Sequence, residues 1–353
     1  MNAESTSHTL CTRCVLPDTF PGIRFNGDGV CNYCEGFLRG AGGHEQTKER
    51  YRQKFLDILG RYRDRAASGQ AAPFDAVVAY SGGKDSTYTL GLLVRTYRLK
   101  VLSFTFDNGF LSERALKNIR TVTDTLGVSH VMYRPDQRSL HRAFSASIRT
   151  NPYPLKTLER ASALCNTCMY LAKSCVLKAA VEGGIPFVAY GWSPGQAPLA
   201  SSVLRLNPAM IRKMQGAVAD VLGPVMEEAL GPYLLGGRHL DLLEQEAKRG
   251  AFLYMVNPLA FHDYGESRVL DEAGSLGWEA PDDTDANSTN CLINGYANLA
   301  HLASHGFHPY AFEIAGLVRN GHMTRDEGLK KLDAPVDAGI VASVKKRLAT
   351  ADK

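Results

Sequence analysis

Phe74-Asp75-Ala76-Val77-Val78-Ala79-Tyr80-Ser81-Gly82-Gly83-Lys84-Asp85-Ser86, followed by Thr87 to Val94, is the stretch from which the fold is read. A β-branched, apolar run ends in two glycines and passes into a helix whose start carries Asp85 and Ser86, so the pattern predicts strand, phosphate loop, helix. Glycine lets the backbone approach an oxyanion, the first helical N–H groups are unpaired donors, and the helix dipole adds positive charge there. Lys84 can neutralise more charge. The loop is shorter than the eight-residue Walker pattern and its order, Ser-Gly-Gly-Lys-Asp-Ser, is different. The alternative is a glycine-rich turn between strand and helix that binds nothing.

Outward from this stretch the chain alternates. Lys100 to Phe106 reads as a second strand, Glu113 to Leu126 as a helix closed by Gly127, Ser129 to Tyr133 as a third strand, and a further helix begins near Ser139. A helix opening at Leu164 runs to Glu182, and Ile185 to Tyr190 follows as a strand. This alternation indicates a doubly wound parallel α/β sheet with right-handed crossovers. Polar residues at the carboxyl end of a strand lie where open sheets bind ligands, which makes Asp107 and Asn108 candidates for ribose, base or Mg²⁺; they are equally ordinary turn residues. Before the sheet, Tyr51, Phe55, Ile58, Leu59 and Tyr62 recur at helical spacing between His44 and Ala67. The expected organisation is a Cys₄ knuckle at 1–43, a linker helix at 44–72, the α/β core at 73–200 and a mainly helical region at 201–353.

The eight cysteines are clustered. Cys11, Cys14, Cys31 and Cys34 form two C-x-x-C knuckles around a proline- and glycine-rich segment, a spacing suited to a closed, structural Zn²⁺ site. Two disulfides or four free thiols are the alternatives. Cys165 and Cys168 form a third pair at a helix N-terminus, where the dipole lowers a thiol pKa. Cys175 reads as a core thiol among Leu171, Val176 and Leu177. Cys291 ends the acceptor-rich run Pro281 to Asn290, which reads as a solvated loop or as partnered polar groups. Cys165, Cys168 and Cys291 are candidate catalytic residues, or else buried structural thiols or a second zinc site.

The chain has 353 residues, 44% of them apolar and 22% charged, with a net charge of +4. This is the composition of a globular enzyme-sized protein, and the charge gives no footprint for a long nucleic acid. No apolar run approaches a membrane span and the N-terminus lacks a secretory pattern, so a cytoplasmic location is expected.

The Ser81 to Ser86 loop resembles the PP-loop of the ATP pyrophosphatase superfamily, with its adenine nucleotide alpha hydrolase-like fold. Together with the Cys₄ knuckle, Cys165, Cys168, Cys291 and the run Leu317 to Glu327, it looks like the PP-loop N-acetyl sugar amidotransferases. It is also similar to the three-cysteine PP-loop sulfurtransferases that thiolate transfer RNA, in which such cysteines hold a 4Fe-4S cluster or form a persulfide pair. Their Gly-His-Asn-Leu-Asp-Asp run is replaced here by Gly191-Trp192-Ser193-Pro194-Gly195-Gln196. The resemblance implies binding of ATP and Mg²⁺ by Ser81, Gly82, Gly83, Lys84, Asp85 and Ser86, with Lys84 and Asp85 catalytic. It implies adenylation of a carbonyl or amide oxygen of a small molecule, then replacement by sulfur from sulfide or a cysteine desulfurase, releasing AMP and pyrophosphate. Replacement by nitrogen from a partner glutaminase is the alternative, as is a nucleotide-binding protein without turnover. A homodimer is compatible with either enzyme.

Overall fold

The computed structural model describes residues 8–40, 44–250 and 253–351; the ends of the expected knuckle region (1–7, 41–43) and residues 251–252 and 352–353 of the helical region lie outside the described residues. The strands are β1 (Ala76–Ala79), β2 (Val101–Phe106), β3 (Ser129–Tyr133), β4 (Phe187–Tyr190), β5 (Val203–Leu206) and β6 (Leu253–Val256). They form one six-stranded sheet in the order β3-β2-β1-β4-β6-β5. All pairs are parallel except β5 with β6, which is antiparallel at the edge. The expected parallel core is therefore present. The stretch beyond residue 200, read as mainly helical, also supplies β5 and β6.

The early helices are α1 (Asn32–Gly40), α2 (His44–Arg65), α3 (Lys84–Gly91), α4 (Glu113–Leu126), α5 (Gln137–Thr150), α6 (Leu155–Leu158) and α7 (Ala163–Glu182). The later ones are α8 (Pro208–Met226), α9 (Gly237–Lys248), α10 (Glu266–Gly274), α11 (Asn294–His305), α12 (Ala311–Arg319), α13 (Arg325–Leu332) and α14 (Ala338–Ala351). Alternation along β1 splits the core into two layers, because successive side chains of a strand face opposite sides. Val77 packs with Leu140 and Phe144 of α5, Leu171 and Val176 of α7 and Ile211 of α8. Ala76 and Val78 pack on the other side with Phe55 and Leu59 of α2, Leu90 of α3, Ile119 of α4 and Ala273 of α10. Thus α2 is a layer of the core as well as the link to the knuckle. No helix among the described residues is long and apolar enough to cross a membrane.

The sheet order creates a crevice. The chain winds from β1 to β2 to β3 on one side and then enters β4 on the other side of β1, so β1 and β4 flank the point where the winding reverses. Their ends are level, with Ala79 opposite Tyr190. The loops after them, beginning at Tyr80 and Gly191, therefore lie side by side.

The knuckle forms a small satellite core. Cys11, Cys14, Val15, Leu16 and Phe20 pack against Phe307 and against Ala311, Ile314 and Ala315 of α12. Arg325 of α13 donates from Nε to the carbonyl oxygens of Cys11 and Cys14, at 3.1 and 3.0 Å. The N-terminal segment is thereby fastened to the C-terminal helices. Thr324 and Glu327 form a capping box at the start of α13.

Candidate active site at the sheet crevice

The phosphate loop is held open by short-range bonds and by one long-range strap. Gly83 caps α3 with an extended backbone, and the Ser86 and Thr87 hydroxyls both donate to its carbonyl oxygen at 3.0 Å. Gly82 has φ of +77°, and a Cβ there would stand 2.7 Å from the Ala115 carbonyl oxygen, so the position demands glycine. Trp278 donates from Nε1 to the Gly82 carbonyl at 2.8 Å, and the Lys84 N–H donates to the Thr289 hydroxyl at 3.2 Å. The acceptor-rich run 281–290 is thus an irregular segment tied to the loop through Thr289, and its residues from Thr284 to Asn290 line the cavity, while Asp282 is exposed.

That cavity, about 530 Å³, is lined by Ser81, Gly83, Lys84, Asp85 and Ser86, with Tyr264 and Glu313 among the residues facing them. Lys84 Nζ is 2.8 Å from Asp85 Oδ2, and the Tyr264 hydroxyl donates to Asp85 Oδ1 at 2.9 Å. Burial works against the Lys84 ammonium, but Asp85, Glu266 and Glu313 outweigh it and hold its pKa above the ordinary lysine value. Glu313 accepts a 2.6 Å hydrogen bond from the Ser193 hydroxyl, and burial nonetheless pushes its carboxyl up to about 7. Lys173 of α7 lies 4.4 Å from the centroid of the Trp192 ring, which stacks on Tyr190. Burial pulls its pKa down to about 8.

A second cavity of about 250 Å³ holds the thiols. Cys165, Cys168 and Cys291 line it together with Asn108, and it shares Ala79, Ser81, Met169, Ser288, Asn290 and Tyr310 with the phosphate-loop cavity. Cys165 and Cys168 arrive on the first turns of α7, which is capped by the Ser162 hydroxyl accepting from the Cys165 N–H at 3.1 Å. Cys291 arrives from far along the chain. The Leu292 N–H donates to the Phe110 carbonyl at 2.8 Å and the Ser112 N–H to the Asn290 carbonyl at 3.0 Å, pinning 290–292 against the loop after β2. The helix-dipole expectation is corrected here: burial dominates, raising the Cys165 thiol to about 12 and the Cys168 and Cys291 thiols above their ordinary value too. Cys175 is a buried core thiol as read.

Asp107 and Asn108, both expected at the nucleotide or Mg²⁺, part company. Asp107 accepts from Arg134 and from the Gly109 N–H, each at 2.8 Å, and lines neither cavity. Asn108 turns to the thiols, with Nδ2 at 3.5 Å from Cys168 Sγ and 3.4 Å from Cys291 Sγ. Lys173, Tyr264, Trp278 and Glu313 escaped the sequence reading. Lys173 alone left a signal, since it stands on the helical face marked by Cys165, Met169 and Ala172.

The knuckle sulfurs are a separate centre. Cys11 Sγ and Cys34 Sγ are 3.9 Å apart, Cys14 Sγ and Cys31 Sγ 3.8 Å, and the four lie within 4.8 Å of one another without a disulfide. A tetrahedral ion with metal–sulfur bonds of about 2.3 Å sets sulfurs roughly 3.8 Å apart, so the four are placed to hold one metal ion. Among the described residues no other group of three or more ligating atoms is this tight.

No protein-family model matches the chain. The uncharacterized protein MJ1599 of Methanocaldococcus jannaschii is 23% identical over 326 residues, covering 92% of this chain and 93% of that protein. Among solved structures, the U34-tRNA thiolase NcsA of Methanococcus maripaludis with its [4Fe-4S] cluster is 15% identical, with TM-score 0.37, over 97% of this chain and 88% of that one. NMN synthetase of Francisella tularensis is 14% identical, with TM-score 0.36, over 85% and 95%. The NH3-dependent NAD synthetase of Campylobacter jejuni is 13% identical, with TM-score 0.33, over 85% and 96%. The chain's resemblance to the PP-loop ATP pyrophosphatases is carried by its own Ser81–Ser86 loop, at the carboxyl end of the central strand β1.

Proposed function

We propose that the chain is an ATP-dependent sulfur-insertion enzyme: it adenylates a carbonyl oxygen of a small acceptor and replaces that oxygen with sulfur. The observation that carries this reading is the shared wall between the phosphate-loop cavity and the cavity of Cys165, Cys168 and Cys291. A carbonyl oxygen is a poor leaving group, and transfer of AMP onto it makes it a good one.

The N-terminus of α3, the loop glycines and Lys84 receive the triphosphate and stabilise the charge that develops on pyrophosphate. Asp85 and Tyr264 hold the Lys84 ammonium in place. Mg²⁺ enters with ATP, and Asp85 is the carboxylate at the loop able to meet it. Glu313, titrating near neutrality, holds or releases a proton at the cavity wall.

Among the described residues only the knuckle sulfurs all fall within 4.8 Å of one another, so at least one distance among the three thiols is longer than a single zinc ion would set. Three thiols around one cavity suit a polynuclear iron–sulfur cluster, with Cys165, Cys168 and Cys291 as its protein ligands. Bound there, such a cluster supplies an iron position able to carry sulfide. Asn108 orients Cys168 and Cys291 by its two N–H···S contacts. The knuckle metal is Zn²⁺ in a closed, structural role.

Anaerobic purification with iron and sulfide analysis, followed by assay for AMP and pyrophosphate, tests this. Iron-bearing protein whose turnover needs sulfide and is lost in Cys168→Ala and Cys291→Ala is the expected result. Iron-free protein that turns over with ammonium salts, indifferent to both substitutions, would overturn it in favour of amide formation.

A further inference from the structure

A third cavity opens behind the phosphate-loop cavity, and Lys173 and Tyr190 line both. It measures about 260 Å³ and is walled mainly by Leu177, Val188, Leu206, Val218 and Met255. Two of its polar members bond to each other, since Gln215 donates to the Ser174 hydroxyl at 3.2 Å, and Gln215 also accepts from the Leu235 N–H at 2.9 Å. An apolar cavity of about 150 Å³ takes a benzene ring, so this one has room for a single substituted ring or a short branched chain.

The junction between the two cavities carries a charge. Lys173 Nζ lies over the Trp192 ring, and no acidic side chain among the described residues forms an ion pair with it. Burial is the sole cause of its lowered pKa, with no neighbouring carboxylate to compensate. An ammonium set between an apolar chamber and a phosphate site is costly to desolvate unless its ligand brings a negative charge. A carboxylate acceptor brings that charge with it, whereas a neutral amide or nucleobase carbonyl brings none.

We propose that the acceptor is a carboxylic acid with a compact apolar body, its carboxylate held by Lys173 and its body seated in the chamber behind. The inference rests on the adenylation reading above and names its substrate class. The body points away from the nucleotide and the head lies at the junction, so the carboxylate is the group presented to ATP. One carboxylate oxygen bonds to the α-phosphorus as the bond from that phosphorus to the bridging oxygen breaks, and pyrophosphate leaves with the electron pair. Hydrosulfide, the required co-reactant, then adds to the acyl carbon and gives its proton to water as the carbon–oxygen bond to AMP breaks. The products are a thiocarboxylate and AMP, with no net oxidation or reduction.

Exchange of labelled pyrophosphate into ATP, run with the full-length metal-loaded protein, tests this with benzoate, phenylacetate and isovalerate beside benzamide and phenylacetamide. Acid-dependent exchange is expected, with the acid KM raised about tenfold or more relative to the ATP KM in Lys173→Gln and largely recovered in Lys173→Arg. Exchange supported by the amides but not the acids overturns the inference, as does an unchanged acid KM in Lys173→Gln. Protein that binds ATP yet exchanges with no acid also overturns the substrate class while leaving the loop's role intact. Protein that binds no ATP overturns the adenylation reading and the inference with it.

Discussion

Asn108 and Cys291 are 183 positions apart, yet Asn108 Nδ2 stands 3.4 Å from Cys291 Sγ and 3.5 Å from Cys168 Sγ. One amide therefore bridges a sulfur from α7 and a sulfur from the strap over the phosphate loop. Hydrogen bonds to charged acceptors contribute about 1.5–3 kcal/mol, so losing both contacts should be felt where the sulfurs are ionised or metal-bound. Asn108→Ala should lower sulfide-dependent turnover by about tenfold or more while ATP binding persists. Comparing turnover with equilibrium nucleotide titration checks it; equal losses in both would place Asn108 at the nucleotide instead.

Lys84 is gripped by Asp85 at 2.8 Å and touched by the Tyr264 hydroxyl at 3.4 Å. Lys84→Met removes the loop's cation and leaves Asp85 facing the phosphates without its counter-charge. Turnover should fall by about a hundredfold or more, with a smaller loss in Lys84→Arg. Steady-state pyrophosphate release reads both, and wild-type rates in Lys84→Met would exclude the lysine from charge stabilisation.

Glu313 gives a pH signature. Its folded-state pKa is raised from 4.5 to about 7, mainly by burial, so between those values the folded protein binds the proton more tightly than the unfolded chain. Its contribution to stability is therefore full at low pH and is lost as pH rises toward 7. Glu313→Gln should flatten that part of the profile and raise the melting temperature relative to wild type at pH 8. Melting curves from pH 4.5 to 8 decide, and parallel profiles for the two proteins would count against a raised carboxyl.

How much of this was legible in the sequence follows the range of the forces involved. The Glu113–Leu126 helix was bounded correctly because its ends are local: the Ser112 hydroxyl accepts from the Ala115 N–H, and Gly127 closes it with φ of +63°. The phosphate loop was legible for the same reason. Strands β5 and β6 were not, because each is a short run without sustained alternation and without the adjoining loop and helix signals that mark the equally short β1 and β4, and they pair with each other and, for β6, with β4. The approach of Cys291 to Cys168 depends on the pinning of 290–292 to the loop after β2, which no local pattern encodes. Glu313 is a single polar residue on an otherwise ordinary helix, and only the sheet crevice gives it meaning, whereas Lys173 is marked in the sequence by no more than the helical face it shares with Cys165.

The knuckle reaches the active site through α12. Its cysteines pack on Ala311, Ile314 and Ala315, while Glu313 of the same helix lines the phosphate-loop cavity. Metal binding by a small knuckle is largely folding free energy, so stripping the ion should unfold the segment and loosen α12. Chelation should lower the melting temperature and activity together, with Zn²⁺ restoring both. Activity that survives complete loss of the knuckle ion would show that α12 stands without it.

Gly191 tests the crevice itself. It begins the loop after β4, and a Cβ there would lie 2.6 Å from Ser86 Cα and 2.7 Å from the Ser86 backbone nitrogen. Both are backbone atoms of the helix whose N-terminus faces the phosphates, so no side-chain rotation relieves the overlap. Gly191→Ala must push the β4 loop and α3 apart, and overpacking of this kind costs about 1–3 kcal/mol. The same displacement moves the loop's N–H donors, so ATP affinity should fall more than acceptor affinity. Gly184, with no atom within 4 Å of an added Cβ, provides the contrast: Gly184→Asn should leave nucleotide affinity unchanged. Calorimetric titration of both variants with ATP measures the difference, and equal affinities would mean that the close packing of these two loops does not shape the nucleotide site.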